Sequence, residues 1–467
     1  MAEIGLHYLE LIELTRRMHA KEISPLEAAQ AQLDRIASLD GHLRSYALVT
    51  PDLALEQARL AEAEIARGEI RGPLHGAPVA VKDLCWTKGV PTTAGMSIHA
   101  DFLPADDATV VRKLRAAGAV LLGKLKMTEG AYSEHHATIL APLNPWSRDH
   151  WVGASSSGSG VATAAGLCYG SLGSDTGGSI RLPCAATGVT GLKPTWGRVS
   201  RYGVFELAPT LDHVGPMARS AADCAAMLTA IAGPDPRDAT ASPEPTTNYL
   251  AGAERGLRGL RIGVDPEWNA RRTDAEVDRA MSEVLKAVAE LGGDIRSVQF
   301  PEAKAIVSDW IPSCGVETAV AHEATYPGRD KEYGPALAGL IDRGRALSAL
   351  DYQKMILRRI DFCGRVRILF EEIDLLIAPA LPYAPPSLAA MAKISQDPER
   401  GLSLMQYTAP FNMTGNPTIT LPCGFTADGL PLAFQFIARP FAEDLLCRAG
   451  YAYQRHTDWR RQHPPVG

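Results

Sequence analysis

Hydrophobic positions along the chain follow two rhythms, a helical spacing of three and four and short unbroken apolar runs, and their alternation predicts an α/β fold. Ser24-Pro25-Leu26-Glu27 supplies a capping hydroxyl, a proline for the first turn and a glutamate three residues on. Leu26, Ala29, Leu33 and Ile36 then share one helical face, so a helix starts there. Thr50-Pro51 opens a second, alanine-rich helix ending near Gly68, and residues 78–81 read as a buried strand with Lys82 at its end. Asp107 is the expected cap of a helix running to Ala117, Gly118 suits its C-terminus, and residues 119–122 form another apolar strand. Downstream, residues 260–264 are strand-like, and Thr273-Asp274-Ala275-Glu276 is a second capping box. The helix it opens closes at Gly292-Gly293, before a strand over 294–300, and residues 373–378 and 417–421 are further strand candidates.

Two stretches break the pattern. Residues 233–247, GPDPRDATASPEPTT, are rich in Pro, Ser and Thr, but the same alternation continues on both sides. They are therefore expected to form a surface loop within a single layered domain. Residues 382–406 lack clean periodicity and are expected to be a mobile wall over a pocket.

At 467 residues and 46% hydrophobic content the chain can bury a large core. A net charge of −6 advertises no basic face, which argues against nucleic acid or an anionic membrane as partner. Eight dispersed cysteines without a C-x-x-C pair read as reduced, buried thiols. The N-terminal residues mix charges through their apolar positions, unlike a signal peptide, and no run approaches a membrane span. Cytoplasmic location, a small-molecule partner and a monomer or homodimer are the resulting expectations. Asn412-Met413-Thr414 matches a glycosylation sequon, which is a coincidence in such a compartment.

The chemistry concentrates in residues 153–194, where seven serines and many glycines surround the apolar run 161–167. A linker would lack that run, and a plain core would not hold so many hydroxyls. Ser155 and Ser179 lie 24 residues apart, enough for a helix and a strand to bring the chain back. Asp175-Thr176-Gly177-Gly178-Ser179 could be a tight turn or a phosphate nest, but it also sets a hydroxyl beside glycine N–H groups able to face an oxyanion. Lys82, ordinarily a solvated strand end, follows an apolar run where desolvation would lower its pKa and free an amine to act as base. No G-x-S-x-G elbow is present to suggest a serine–histidine arrangement. Two further motifs are decoys. Gly118 to Lys124 have phosphate-loop spacing, but Leu125 replaces the metal-binding hydroxyl, and adjacent His135 and His136 lack a third ligand.

Lys82, the serine loop 153–160 and Ser174-Asp175-Thr176-Gly177-Gly178-Ser179-Ile180-Arg181 resemble the amidase signature family. The resemblance extends through Gly191-Leu192-Lys193-Pro194-Thr195, Arg201-Tyr202-Gly203, residues 210–216 and residues 410–417, most of the chain. It implies a mixed central sheet with helices on both faces: N-terminal helices over 1–70, a catalytic core over 71–230, a variable region over 231–400 and a return to the core over 401–467. It further implies a triad of Lys82, relay Ser155 and nucleophile Ser179, with the N–H groups of Thr176, Gly177, Gly178 and Ser179 as oxyanion hole. Asp175 and Arg181 would support that loop, and no metal or organic cofactor is expected. Ala154 and Ser157 depart from the family's usual glycines, and Ser156 and Ser157 are weaker relay candidates. Gly130, Ala131 and Tyr132 match a stretch bordering the family's acyl pocket. Met405 stands about seven residues before Asn412, where a glutamine-using amidotransferase chain is expected to carry an acidic residue. The implied function is a stand-alone hydrolase of amides, including aryl amides or carbamates, with ester cleavage as a side activity. The alternatives are the catalytic chain of an amidotransferase complex and, from another class, a non-catalytic phosphate-binding protein.

Overall fold

Helix ends show where local sequence signals were decisive. In the computed structural model, which describes residues 5–466, Ser24 Oγ accepts from the N–H groups of Leu26 and Glu27 and caps the helix Pro25–Leu43. The alanine-rich helix spans Pro51–Ala66. The box at 273–276 is capped one residue later than expected. Asp274, not Thr273, accepts from Val277 N–H at the start of the helix Ala275–Glu290, while Thr273 Oγ1 donates to Asp278. Asp107 caps nothing: the helix Thr109–Ala116 has no side-chain cap, because the Asp107 carboxylate accepts from Lys88 N–H at 2.7 Å and faces Arg115 at 3.2 Å.

Among the described residues, eleven strands form one mixed sheet flanked by helices. They are β1 (Tyr46–Val49), β2 (Pro78–Lys82), β3 (Val120–Leu125), β4 (Gly170–Asp175), β5 (Thr190–Lys193) and β6 (His213–Ala218), followed by β7 (Arg261–Val264), β8 (Asp294–Ser297), β9 (Leu375–Pro379), β10 (Thr418–Phe425) and β11 (Pro431–Ala438). Their order is β1-β3-β2-β4-β6-β5-β10-β11-β9-β7-β8. β2 runs parallel to both β3 and β4, β7 runs parallel to β8 and β9, and the strands between β4 and β9 pair antiparallel.

The apolar runs are explained by burial on both faces of this sheet. Val79, Val81 and Leu121 join the larger core, whereas Ala80, Val120 and Leu122 join a second core with Leu33 and Ile36 of the N-terminal helix. Because β2 and β4 are parallel neighbours, Lys82 and Asp175 both sit at carboxyl ends on the same edge, where α/β sheets place their sites. Residues 233–247 are irregular and largely exposed. Residues 382–406 are more regular than expected, containing the helices Leu388–Gln396 and Pro398–Leu404, capped by Ser387 and Asp397. No helix among the described residues is long and apolar enough to cross a membrane. The eight cysteines are free, and Cys363 alone among them is not fully buried.

Candidate active site

Lys82 ends β2 with no exposed surface. Its Nζ lies within hydrogen-bond distance of three hydroxyls, Ser155 Oγ at 2.7 Å, Ser174 Oγ at 2.8 Å and Ser156 Oγ at 3.0 Å. Burial pushes its pKa down to about 7, against the weaker upward pull of Cys85, Asp175 and Asp212. An amine so placed is partly neutral near pH 7 and can accept a proton.

The three hydroxyls are not equivalent. Ser156 Oγ donates to Ser174 O at 3.1 Å and accepts from Ser174 N–H at 3.2 Å, so it stitches the serine loop to β4. The contact from Ser174, on β4, was not anticipated, since one serine in a strand looks like any small core residue. Ser155 Oγ has no such tie, which leaves it free to pass a proton onward. Ser157 turns away to meet His135 Nε2 at 3.0 Å, and burial lowers that histidine to about 4. The Ala154–Ser155 peptide is cis. Ser156 N–H donates to Ser179 O at 3.3 Å, bringing the two halves of the loop together, while the side-chain hydrogen bond of Ser155 Oγ among the described residues is the one to Lys82 Nζ, with none to Ser179 Oγ.

Ser179 is held by a clamp built around Asp175. Its carboxylate accepts from the N–H groups of Gly178 (2.8 Å) and Ile180 (3.0 Å), and from Arg181 Nε (3.0 Å) and Nη2 (2.9 Å). Burial alone would raise Asp175, but the Arg181 guanidinium holds it well below the usual carboxylate range. Arg181 also donates to Thr408 O at 2.9 Å and Asn412 Oδ1 at 2.6 Å, and Asn412 Nδ2 donates to Asp175 Oδ1 at 2.9 Å. The sequon asparagine is therefore fully buried. Since Gly178 N–H is taken by Asp175, the expected oxyanion cradle narrows. The N–H groups of Thr176, Gly177 and Ser179 meet no intrachain acceptor among the described residues. A Cβ on Gly177 would lie 2.5 Å from the Trp310 ring, whose Nε1–H donates to Thr176 O at 2.8 Å. Gly178 has φ +139°, which disfavours any side chain.

Ser179, partly exposed, opens onto a cavity of about 400 Å³. Ala131, Tyr132, Thr176, Gly177 and Met405, all singled out in the sequence, line it. Gly130 does not: it borders a separate cavity, with its N–H donated to Ala94 O at 3.0 Å. The far walls were not foreseen. Trp310 and Ile311 come from the helix Lys304–Ala321, Leu340 from the helix Pro335–Ala346, and Ile394 and Leu404 from the two short helices above. Such apolar side chains at helical spacing look like core in a sequence. The decoys are absorbed structurally. Lys124, of the phosphate-loop spacing, is buried in β3 against Cys85 O (2.8 Å), Thr92 Oγ1 (2.6 Å) and Asp83 (3.2 Å).

Comparison with known proteins identifies the family. The family profile described as "Amidase" matches residues 27–447. The chain is 48% identical over 465 residues to the protein named "Putative amidase AmiD" of Mycobacterium tuberculosis, covering 99% of this chain and 97% of that one. It is 38% identical over 487 residues to a glutamyl-tRNA(Gln) amidotransferase subunit of Moorella thermoacetica, covering 99% of each. The structure of the peptide amidase of Stenotrophomonas maltophilia superposes with a TM-score of 0.83 at 29% identity, covering 98% of both chains. The chain belongs to the amidase signature family.

Proposed function

We propose that the chain hydrolyses the C–N bond of amides through a Ser179 acyl-enzyme. The observation that carries this reading is Lys82, an amine with its pKa lowered to about 7, buried against Ser155 Oγ at 2.7 Å behind the loops whose Ala154 and Ser179 line the cavity. Neutral Lys82 draws a proton from Ser155, which takes one from Ser179 as Ser179 Oγ bonds to the carbonyl carbon. The N–H groups of Thr176, Gly177 and Ser179 face the developing oxyanion. The proton returns through Ser155 to the leaving nitrogen, the C–N bond breaks, and water cleaves the ester by the same relay in reverse. The Ser155–Ser179 contact closes when substrate binds, as catalytic hydrogen bonds commonly do.

Apolar walls from Trp151, Leu182, Trp310 and Leu404, with uncharged Met405 among them, support aryl amides or carbamates as substrates, with ester cleavage as a side activity. The similarity to an amidotransferase chain supports a second reading, as the glutamine-using member of a complex. That reading requires glutaminase activity and copurifying partner chains. The test is turnover of an anilide and an aryl carbamate by the purified chain and its Ser179→Ala variant. Turnover should vanish in the variant with an unchanged circular dichroism melt; substantial residual activity would remove Ser179 from the reaction.

A further inference from the structure

The helix Ala349–Glu372 is the longest among the described residues and buries only one side, through Phe362, Val366, Leu369 and Phe370. At 3.6 residues per turn, Leu350, Leu357, Gly364 and Ile368 fall along one line on the opposite side, with Ile360 beside it. The four large side chains are 68%, 57%, 58% and 62% exposed for Leu350, Leu357, Ile368 and Ile360 respectively. Water is a poor neighbour for such a stripe, and contiguous exposed apolar side chains mark an interaction surface.

Two features identify the occupant. Gly364 sits mid-stripe, where a Cβ would meet nothing within 4 Å. Glycine is less favourable than alanine in a helix interior, and nothing in the chain's own packing calls for it. A missing side chain at the centre of an apolar line lets a second helix approach closely. The flanking charges say which helix. Lys354, Asp361, Arg365 and Glu372 lie along one flank of the stripe. When an identical helix packs antiparallel across a two-fold axis at residue 363, that flank meets itself. Lys354 then faces the second copy's Glu372, and Asp361 faces its Arg365, each pairing occurring twice. Asp361 and Arg365, 63% and 66% exposed and now paired within the helix at 2.8 Å, are free to exchange into such contacts. Gly364 of each copy then lies within one residue of the axis, where the two helices can approach most closely, with Leu357 and Ile368 of each copy closing the seam on either side.

We infer that this face is a homodimer interface, an antiparallel two-fold packing of the helix Ala349–Glu372 against a second copy of the chain. The inference is independent of the catalytic reading. Sedimentation equilibrium of the full chain over about 1 to 100 µM, where interfaces of micromolar affinity are resolved, should give twice the 50.0 kDa chain mass. Leu357→Lys and Gly364→Leu should each weaken association by roughly tenfold or more, with melting temperatures unchanged at concentrations low enough for the wild-type chain to be monomeric, where both sites are open to solvent. Asp361→Arg should weaken it, and Asp361→Arg combined with Arg365→Asp should restore it, since the two-fold pairing is then rebuilt with signs reversed. A chain that stays monomeric, or a dimer indifferent to the three single variants, overturns the proposal. So does binding of the wild-type monomer to phosphatidylcholine vesicles that Leu357→Lys abolishes, which would assign the stripe to lipid.

Discussion

Two lysines on neighbouring parallel strands, Lys82 at the end of β2 and Lys124 near the end of β3, have no exposed surface, yet they meet different company. Lys124 faces the Asp83 carboxylate, itself fixed by Thr93 Oγ1 at 2.6 Å and Thr93 N–H at 3.0 Å. Lys82 meets hydroxyls alone. Burial lowers both amines, and Asp83 pulls Lys124 back up, whereas Lys82 falls to about 7. Burial of a lysine is thus not itself a sign of catalysis. A carboxylate beside the amine makes a structural cation, and hydroxyls beside it make a base poised near neutrality.

The contrast breaks most sharply under substitution. Lys82→Ala should lower kcat by about a thousandfold or more while leaving the unfolding midpoint in urea nearly unchanged, because an unactivated serine is a weak nucleophile. Lys124→Met should do the opposite. It strands Asp83 in the core and should cost about 3–5 kcal/mol in urea unfolding, with kcat per folded molecule preserved. If Lys124→Met instead removes activity from a stable protein, the distinction between the two sites fails.

A pH titration sharpens the same comparison. For a neutral anilide, kcat/KM should rise with pH through about 7 as Lys82 loses its proton, falling close to tenfold per unit well below that point. The sign for stability follows from the same depressed pKa. Between about 7 and the ordinary lysine value, the unfolded chain holds more protons on this group than the folded one, so the group's contribution to stability grows as pH rises across that window and levels off below it. The smallest effect expected is at the pocket wall. Met405→Ala should raise KM about threefold for an aryl substrate with kcat unchanged, as loss of uniform binding does.

Legibility in the sequence tracked how local the physics was. The cap at Ser24, the helix start near 274 to within one residue, and the runs ending at Lys82 and Val264 announce themselves within a few residues, and the elements formed there. β4 did not announce itself. Gly170-Ser171-Leu172-Gly173-Ser174-Asp175 carries small polar residues because it lies between β2 and β6, with the serine loop pressed on it, so packing overrode propensity. Asp107 shows the converse, a good capping residue drawn off by a backbone N–H from 19 residues away. In the candidate site, motif and spacing single out Lys82, Ser155 and Ser179, and the structure brings Lys82 Nζ to 2.7 Å from Ser155 Oγ and the Ser179 backbone against Ser156 N–H. The walls from Trp310 to Leu404 were not, since whether an amphipathic face borders a cavity or a core is settled by tertiary packing alone.

The Asp175–Arg181 clamp also has a temporal meaning. Arg181 draws on Thr408 and Asn412, more than two hundred residues later in the chain, and β5 beside the catalytic loop pairs with β10. During synthesis the loop carrying Ser179 is complete long before those partners leave the ribosome. Until they arrive, Arg181 lacks two of its acceptors and the loop carrying Ser179 lacks that anchor. The loop that carries Ser179 is thus completed by contacts that only the last strands of the fold supply.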